Sequence, residues 1–268
     1  MQPHPPRSLR RDLSLSALVA GVIAVVVSYG GPAALIFQAA AAAKLSTGQL
    51  ASWVWAISIG SGLAGVALSL RFKVPVIIAW STPGAALLVT SLARYSYPEA
   101  VGAYIFSGAV IVLLGVTGVF SALMDRIPKA VVAAMLAGIL LRFGMDVFVS
   151  LPVEPLLVAP MVLSYLLGKR LSPRYAIVLT LLAGFAAAAL LGKLNLGNIH
   201  AALTLPVWTA PVFSLGSIIG LGVPLCLVSL TGQSATGLGV LRASGYHTPA
   251  GPLLGVTGLL SVLLAPFG

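Results

Sequence analysis

The chain has 268 residues, of which 59% are hydrophobic and 7% charged, and a mean hydropathy of +1.08. So few charges cannot clothe a water-soluble surface, so lipid is the solvent this composition requires and little is left over for a soluble domain. The net charge of +10 is scattered between apolar runs, which argues against a nucleic-acid partner, and a single cysteine, Cys226, excludes a disulfide framework or a cysteine-based metal site.

Residues 1–12 form a polar tail carrying Arg7, Arg10 and Arg11. The apolar stretch behind it is too long for a cleaved signal peptide and has no convincing small-residue cleavage site, so it reads as a retained first span. Compared with the roughly 20 residues a helix needs to cross a bilayer, the uncharged stretches predict about nine spans: 14–36, 51–70, 75–92, 100–122, 128–148, 153–168, 175–192, 212–236 and 250–266. The sixth is short and carries Pro155 and Pro160, so a tilted, broken or partly re-entrant segment is expected there. With the tail in the cytosol, eleven basic residues from Arg7 to Arg242 fall inside and only Lys44, Arg94 and Lys193 outside, as the positive-inside rule requires. The fold class is therefore an all-α polytopic membrane protein.

The third span opens on a β-branched, proline-bearing run, Val74-Pro75-Val76-Ile77-Ile78-Ala79-Trp80, and continues Ser81-Thr82-Pro83-Gly84-Ala85. This pattern predicts an extended break followed by a helix start. Ser81 or Thr82 suits the N-cap, Pro83 the first helical position, and Gly84 a close approach of ligand to backbone. At membrane depth such a break must line a cavity or be buried in protein, and a carboxylate placed there meets backbone N–H groups and the positive end of a helix dipole. A proline kink in a continuous helix is the plainer alternative.

On the fifth span Arg142 and Asp146 stand four residues apart on one face, so they can neutralise one another; a gating or proton-coupling role is the other reading. The eighth span carries Ser229, Thr231, Gln233, Ser234 and Thr236 where a lipid-facing helix would be Leu and Val. These are either substrate ligands or interhelical contacts packed with Gly232, Gly237 and Gly239, and Gln233, which donates and accepts at once, is the best single candidate for a ligand contact. Ser14-Leu15 and Ser214-Leu215 open spans with similar polar steps at nearly the same offset, Ser28 to Pro32 and Ser229 to Gln233. The predicted topology runs these two spans in opposite directions, as in an inverted repeat of seven spans per unit. His4, His200 and His247 lie in the tail and loops, with no metal-ligand spacing, nucleophile elbow or phosphate loop, so neither a cofactor nor a catalytic residue is predicted and an enzyme is not.

Pro75 to Leu88 with its Trp80-Ser81-Thr82-Pro83-Gly84-Ala85 core, Val228 to Gly245, and Ala265-Pro266-Phe267-Gly268 together resemble the benzoate/proton symporter family (BenE type), related in fold to nucleobase and sulfate transporters. The resemblance implies fourteen spans in two inverted sevens, with a core domain moving against a gate domain and substrate between broken third and tenth spans. On that scheme 1–12 is the cytosolic tail, 13–125 the first part of the core (spans one to four), 126–208 the first part of the gate (spans five to seven), and 209–268 the second part of the core (spans eight and nine). The chain stops at Gly268, where the tenth span of the family should begin, so a shortened gene product is expected. Related carriers place an acidic residue and a histidine at positions that match Ser229 and Gln233 here, a loss of charge that suits an anionic cargo.

The expected function is proton-coupled symport of benzoate or a similar aromatic carboxylate in the bacterial inner membrane. Thr82 to Ala85 would hold the carboxylate, Ser229 and Gln233 would add hydrogen bonds, and Trp80 and Pro83 would offer apolar surface to the ring. Protons and membrane lipid are the other expected partners, with a homodimer open as the assembly. The alternatives are a nucleobase or inorganic-anion carrier of the same fold, and a non-transporting membrane fragment or scaffold.

Overall fold

The computed structural model describes residues 14–30, 32–126, 141, 144–194 and 204–268. Every regular element among the described residues is helical. The chain divides into two compact units, one of residues 1–26 and 137–202 and a larger one of residues 27–136 and 203–268.

The predicted first span is two helices, α1 (Leu15–Gly30) and α2 (Pro32–Ala42), the second opened by a proline at its first position, where a missing N–H costs nothing. In the larger unit α3 (Thr47–Phe72) starts on a capping box, with the Gln49 N–H donating to Ser46 Oγ at 3.2 Å and the Ser46 N–H to Gln49 Oε1 at 3.0 Å. It ends at Lys73, whose φ of 54° is left-handed and reverses the chain. The next residues run back along α3. The Val76 N–H donates to Ser69 Oγ at 3.1 Å and Ser69 Oγ donates to the Val76 carbonyl at 3.1 Å, while Gly65 leaves room for Val76 and Ile78. Residues 75–81 are non-helical, and α4 (Thr82–Ser91) follows, with a 3-10 turn from Leu92 to Arg94.

Then come α5 (Tyr97–Thr117), started by a Ser96/Glu99 capping box, and the short α6 (Val119–Arg126), which Gly118 separates from it at a left-handed φ of 71°. A 29-residue helix, α10 (Leu215–Ala243), and α11 (Ala250–Leu264) complete this unit. Helices α5 and α11 run antiparallel and almost backbone to backbone. A Cβ on Gly115 would lie 2.7 Å from Gly255 N and 2.8 Å from Gly251 O, and one on Gly108 2.9 Å from Val262 and 3.1 Å from Gly258 O. Small residues are how membrane helices approach closely without hydrophobic driving force.

The coil before α10 is fixed by the fully buried Ser52 of α3. Its Oγ accepts from the Val207 N–H at 2.8 Å and donates to the Phe267 carbonyl at 2.6 Å. Two further bonds, Thr209 N–H to Pro266 O at 2.7 Å and Val212 N–H to Pro98 O at 2.9 Å, hold the rest of the coil.

The smaller unit contains α7 (Gly144–Val153), α8 (Pro155–Leu171) and α9 (Ala176–Leu190). Helices α8 and α9 form an antiparallel hairpin in which Gly168 meets Ala176 and Gly184 meets Met161, and Lys193 pairs with Glu154. Pro155 opens α8, and Pro160 sits inside a helix that continues to Leu171. Most of the predicted fifth span, with Arg142, lies outside the described residues; Asp146 is exposed on α7.

By length and apolarity, four described helices can cross a membrane: Thr47–Phe72, Tyr97–Thr117, Leu215–Ala243 and Ala250–Phe267.

Candidate substrate cavity

Reversal at Lys73 returns the non-helical segment to the middle of α3, and α4 therefore starts inside the larger unit rather than at its edge. Ser81 is the N-cap, in extended conformation, and its Oγ accepts the Gly84 N–H at 3.2 Å while its carbonyl accepts the Ala85 N–H at 2.7 Å. Thr82 is the first helical residue and Pro83 the second, one place later than the sequence pattern suggested. Since Pro83 has no N–H, Thr82 is the donor of this turn that Ser81 leaves uncommitted.

Helix α10 meets this helix start through its own glycine. A Cβ on Gly232 would stand 3.0 Å from Pro83 Cγ, and one on Gly84 3.2 Å from Leu225 Cδ1. The approach brings Gln233 to the extended segment, where its Nε2 donates to the Ala79 carbonyl at 3.3 Å. Helix α10 is wound as a π-helix over Ile218–Gly222 and again over Ser229–Ala235. Such wide turns recur at functional sites. Here the second one carries Ser229, Gln233 and Ser234, which line one wall. Thr231 instead donates to its own helix at Leu227 O, 2.8 Å, and Thr236 to Thr231 O, 3.5 Å.

That wall belongs to a cavity of 570 Å³ enclosed by α3, the extended segment, α4, α5, α10 and α11. Of the residues singled out in the sequence, Trp80, Ser81, Gly84, Ala85, Ser229 and Gln233 line it; Thr82 and Pro83 stand at the helix start without lining it. Trp80 is 6% exposed and packs edge-on against Tyr29 at 4.8 Å between ring centroids. The Tyr29 hydroxyl in turn donates to Ser58 Oγ.

Sequence reasoning missed the opposite side. Trp53 of α3 and Tyr104 of α5 line the cavity with their rings 6.5 Å apart and nearly parallel, and the Tyr104 hydroxyl is buried without a hydrogen-bond partner among the described residues. A signal was present: Tyr104, Ser107, Gly108 and Ile111 recur at helical spacing, and all four line the cavity. Among the described residues, no Asp, Glu, Lys, Arg or His lines the cavity and no cluster of three metal-ligating side chains occurs.

Long apolar helices packed through glycine define a polytopic membrane protein, and its larger unit holds a mostly apolar cavity with a few convergent polar groups. The family model described as "Benzoate membrane transport protein" matches residues 11–268, and the chain belongs to that family. It is 46% identical over 259 residues to the "Benzoate membrane transport protein" of Acinetobacter baylyi (strain ATCC 33305 / BD413 / ADP1), covering 97% of this chain and 66% of that relative. It is 41% identical over 251 residues to the "Inner membrane protein YdcO" of Escherichia coli (strain K12), covering 94% of this chain and 64% of that one. The chain thus spans about two thirds of the length of these curated relatives. No solved structure matches it. A membrane transport family points away from catalysis.

Proposed function

We propose that the chain supplies the substrate-binding part of a secondary transporter that carries benzoate, or a similar aromatic carboxylate, together with protons across the bacterial inner membrane. The observation that carries this reading is the hydrogen bond from Gln233 to Ala79, through which the polar turn of α10 meets the extended segment ahead of a capped helix start. Family membership and the name of the Acinetobacter relative support the cargo, and the name of the Escherichia coli relative supports the membrane.

In this reading the carboxyl group sits beside the capped start of α4, near Ser81 to Ala85, and Ser229 and Gln233 complete its hydrogen bonds. Trp80 gives the ring an apolar face. Residues 75–91 act as the broken third span, because non-helical backbone is tolerated at membrane depth where it lines a cavity. The core part, 13–125 and 209–268, falls mostly in the larger unit and the gate part, 126–208, mostly in the smaller, with residues 14–26 of the core in the smaller unit and 126 and 204–208 of the gate in the larger; Asp146 and Arg142 serve as a gating or ion-pair element. The inverted repeat is supported by matching helix starts: Ser14 Oγ accepts from the Ala17 N–H at 3.2 Å and Ser214 Oγ from the Ser217 N–H at 3.1 Å. The distribution of basic residues favours a cytoplasmic N-terminus.

Proteoliposome uptake tests the function. Labelled benzoate should accumulate when an imposed pH gradient makes the outside acid, and a protonophore should abolish it. Correctly inserted protein that accumulates no benzoate would sink the reading, and stronger competition by uracil or sulfate than by unlabelled benzoate would move the cargo to another class.

A further inference from the structure

The polarity of the cavity wall bears on the protonation state of what it binds, an argument that rests on the aromatic-acid reading above. The Ala79 carbonyl can only accept, so the Gln233 atom 3.3 Å from it is the amide nitrogen. This fixes the orientation of the amide and leaves Oε1, an acceptor, as the other end of a side chain that lines the cavity. At the start of α4, meanwhile, the Gly84 and Ala85 N–H groups are already taken by Ser81. An ionised carboxylate here could take hydrogen bonds from the serine hydroxyls, but it would face the acceptor Gln233 Oε1 and find no cation among the described lining residues. A carboxylic acid instead offers its O–H to Gln233 Oε1 and its carbonyl oxygen to a hydroxyl such as that of Ser229.

We infer that the cavity binds its aromatic acid in the protonated form, donating the acid proton to Gln233 Oε1, so that the substrate itself carries the coupling proton. One carboxylate and one proton enter as a neutral molecule and separate again on release, and no side chain of the wall changes charge.

The neighbouring elements offer no competing carrier. Tyr104 on α5 is the one titratable side chain among the described residues of the wall, and Cys226 on α10 is buried but does not line it. Arg71 at the end of α3, Arg94 after α4, Glu99 at the start of α5 and Arg242 at the end of α10 are charged but likewise off the wall; the extended segment and α11 carry no ionisable residue. Burial without a counter-charge disfavours the ionised form of any carboxyl group, and a neutral acid avoids that cost.

Binding to the purified protein in lipid nanodiscs separates the two protonation states. A carboxyl group that titrates near about 4 in water loses its protonated fraction about tenfold per pH unit above that, so the apparent Kd for benzoate should rise by about that factor per unit between pH 5 and 8. Benzamide, neutral and carrying an N–H where the acid has its O–H, should compete equally at every pH, and benzenesulfonate, always an anion, should not compete. Methyl benzoate, neutral but without a donor, should bind about tenfold more weakly than benzamide, and Gln233→Leu should collapse that ratio. A benzoate Kd independent of pH, or effective competition by benzenesulfonate, overturns the inference while leaving benzoate as cargo. If the ratio of benzamide to methyl benzoate affinity is unchanged in a folded Gln233→Leu protein, Gln233 is not the acceptor. Because the ligand series is read on the unmodified protein, it decides the protonation state even if that variant fails to fold. Absence of benzoate binding at every pH, by protein that elutes as a single species, removes the aromatic-acid reading and this inference with it.

Discussion

Helices α5 and α11 meet where Gly108 and Gly115 face Gly258, Gly255 and Gly251, with backbone atoms filling the space a side chain would need. Where α10 crosses the start of α4, Gly232 and Gly84 permit a similarly close approach, to Pro83 and Leu225. The first contact brings two helix backbones together along their length. The second leaves Ser81, Ser229, Gln233 and Ser234 on a cavity wall. The same device, removal of a Cβ, serves both, and Gly108 and Gly258 also border the cavity; what distinguishes the second contact is the polar run Ser229, Gln233 and Ser234 beside the capped helix start.

The largest effect should come from breaking the α5–α11 contact. Gly115→Leu forces atoms into Gly251 and Gly255 backbone, which cannot rotate away, and overpacking of this kind costs about 3 kcal/mol. Against a total stability of about 5–15 kcal/mol, that should lower the melting temperature by several degrees and reduce the monodisperse fraction in size-exclusion chromatography. At Gly62 of α3 a Cβ would meet nothing within 4 Å, so Gly62→Ala should leave both unchanged or slightly improved. Equal melting temperatures for Gly115→Leu and Gly62→Ala would mean that α5 and α11 do not pack as described.

Next in size is the contact of Gln233 with the extended segment. Gln233→Ala removes the bond to Ala79 and the proposed bond to substrate, and the latter alone is worth about 1 kcal/mol, or roughly a fivefold weaker benzoate Kd. Membrane insertion should be unaffected. Unchanged binding in a folded variant would take Gln233 out of the site.

How much of this was legible in the sequence follows from the same two contacts. The break at Pro75 to Ser81 could be read because proline and β-branched residues sit where a helix would otherwise run, and because Ser81, Pro83 and Gly84 mark a helix start. Gln233 could be read because a long amide has few roles inside a span. Trp53 could not be placed, since an aromatic residue within a span faces lipid, a neighbour or a cavity with equal ease until the helices are packed, whereas Tyr104 shares a helical spacing with Ser107, Gly108 and Ile111 that pointed to one face. The π-helical turns of α10 were equally hidden: nothing in the composition of Ser229 to Ala235 distinguishes a π-turn from an α-helix. The division of the first span at Gly30 and Pro32 was also missed, although Pro32 is a good first residue for a helix.

The smallest expected effect is the most discriminating, because it separates two residues that the sequence treats alike. Thr231 lies two places from Gln233 in the same polar run, yet it is exposed, off the wall, and spends its hydroxyl on the Leu227 carbonyl of its own helix. Such a back-bond contributes little to helix stability, and valine keeps the branched shape at Cβ. Thr231→Val should therefore change both benzoate affinity and melting free energy by less than about 0.5 kcal/mol, well short of the loss at Gln233. A loss of binding at Thr231 equal to that at Gln233 would mean that the polar run acts through the helix as a whole, and that the side chains on the cavity wall do not select the ligand.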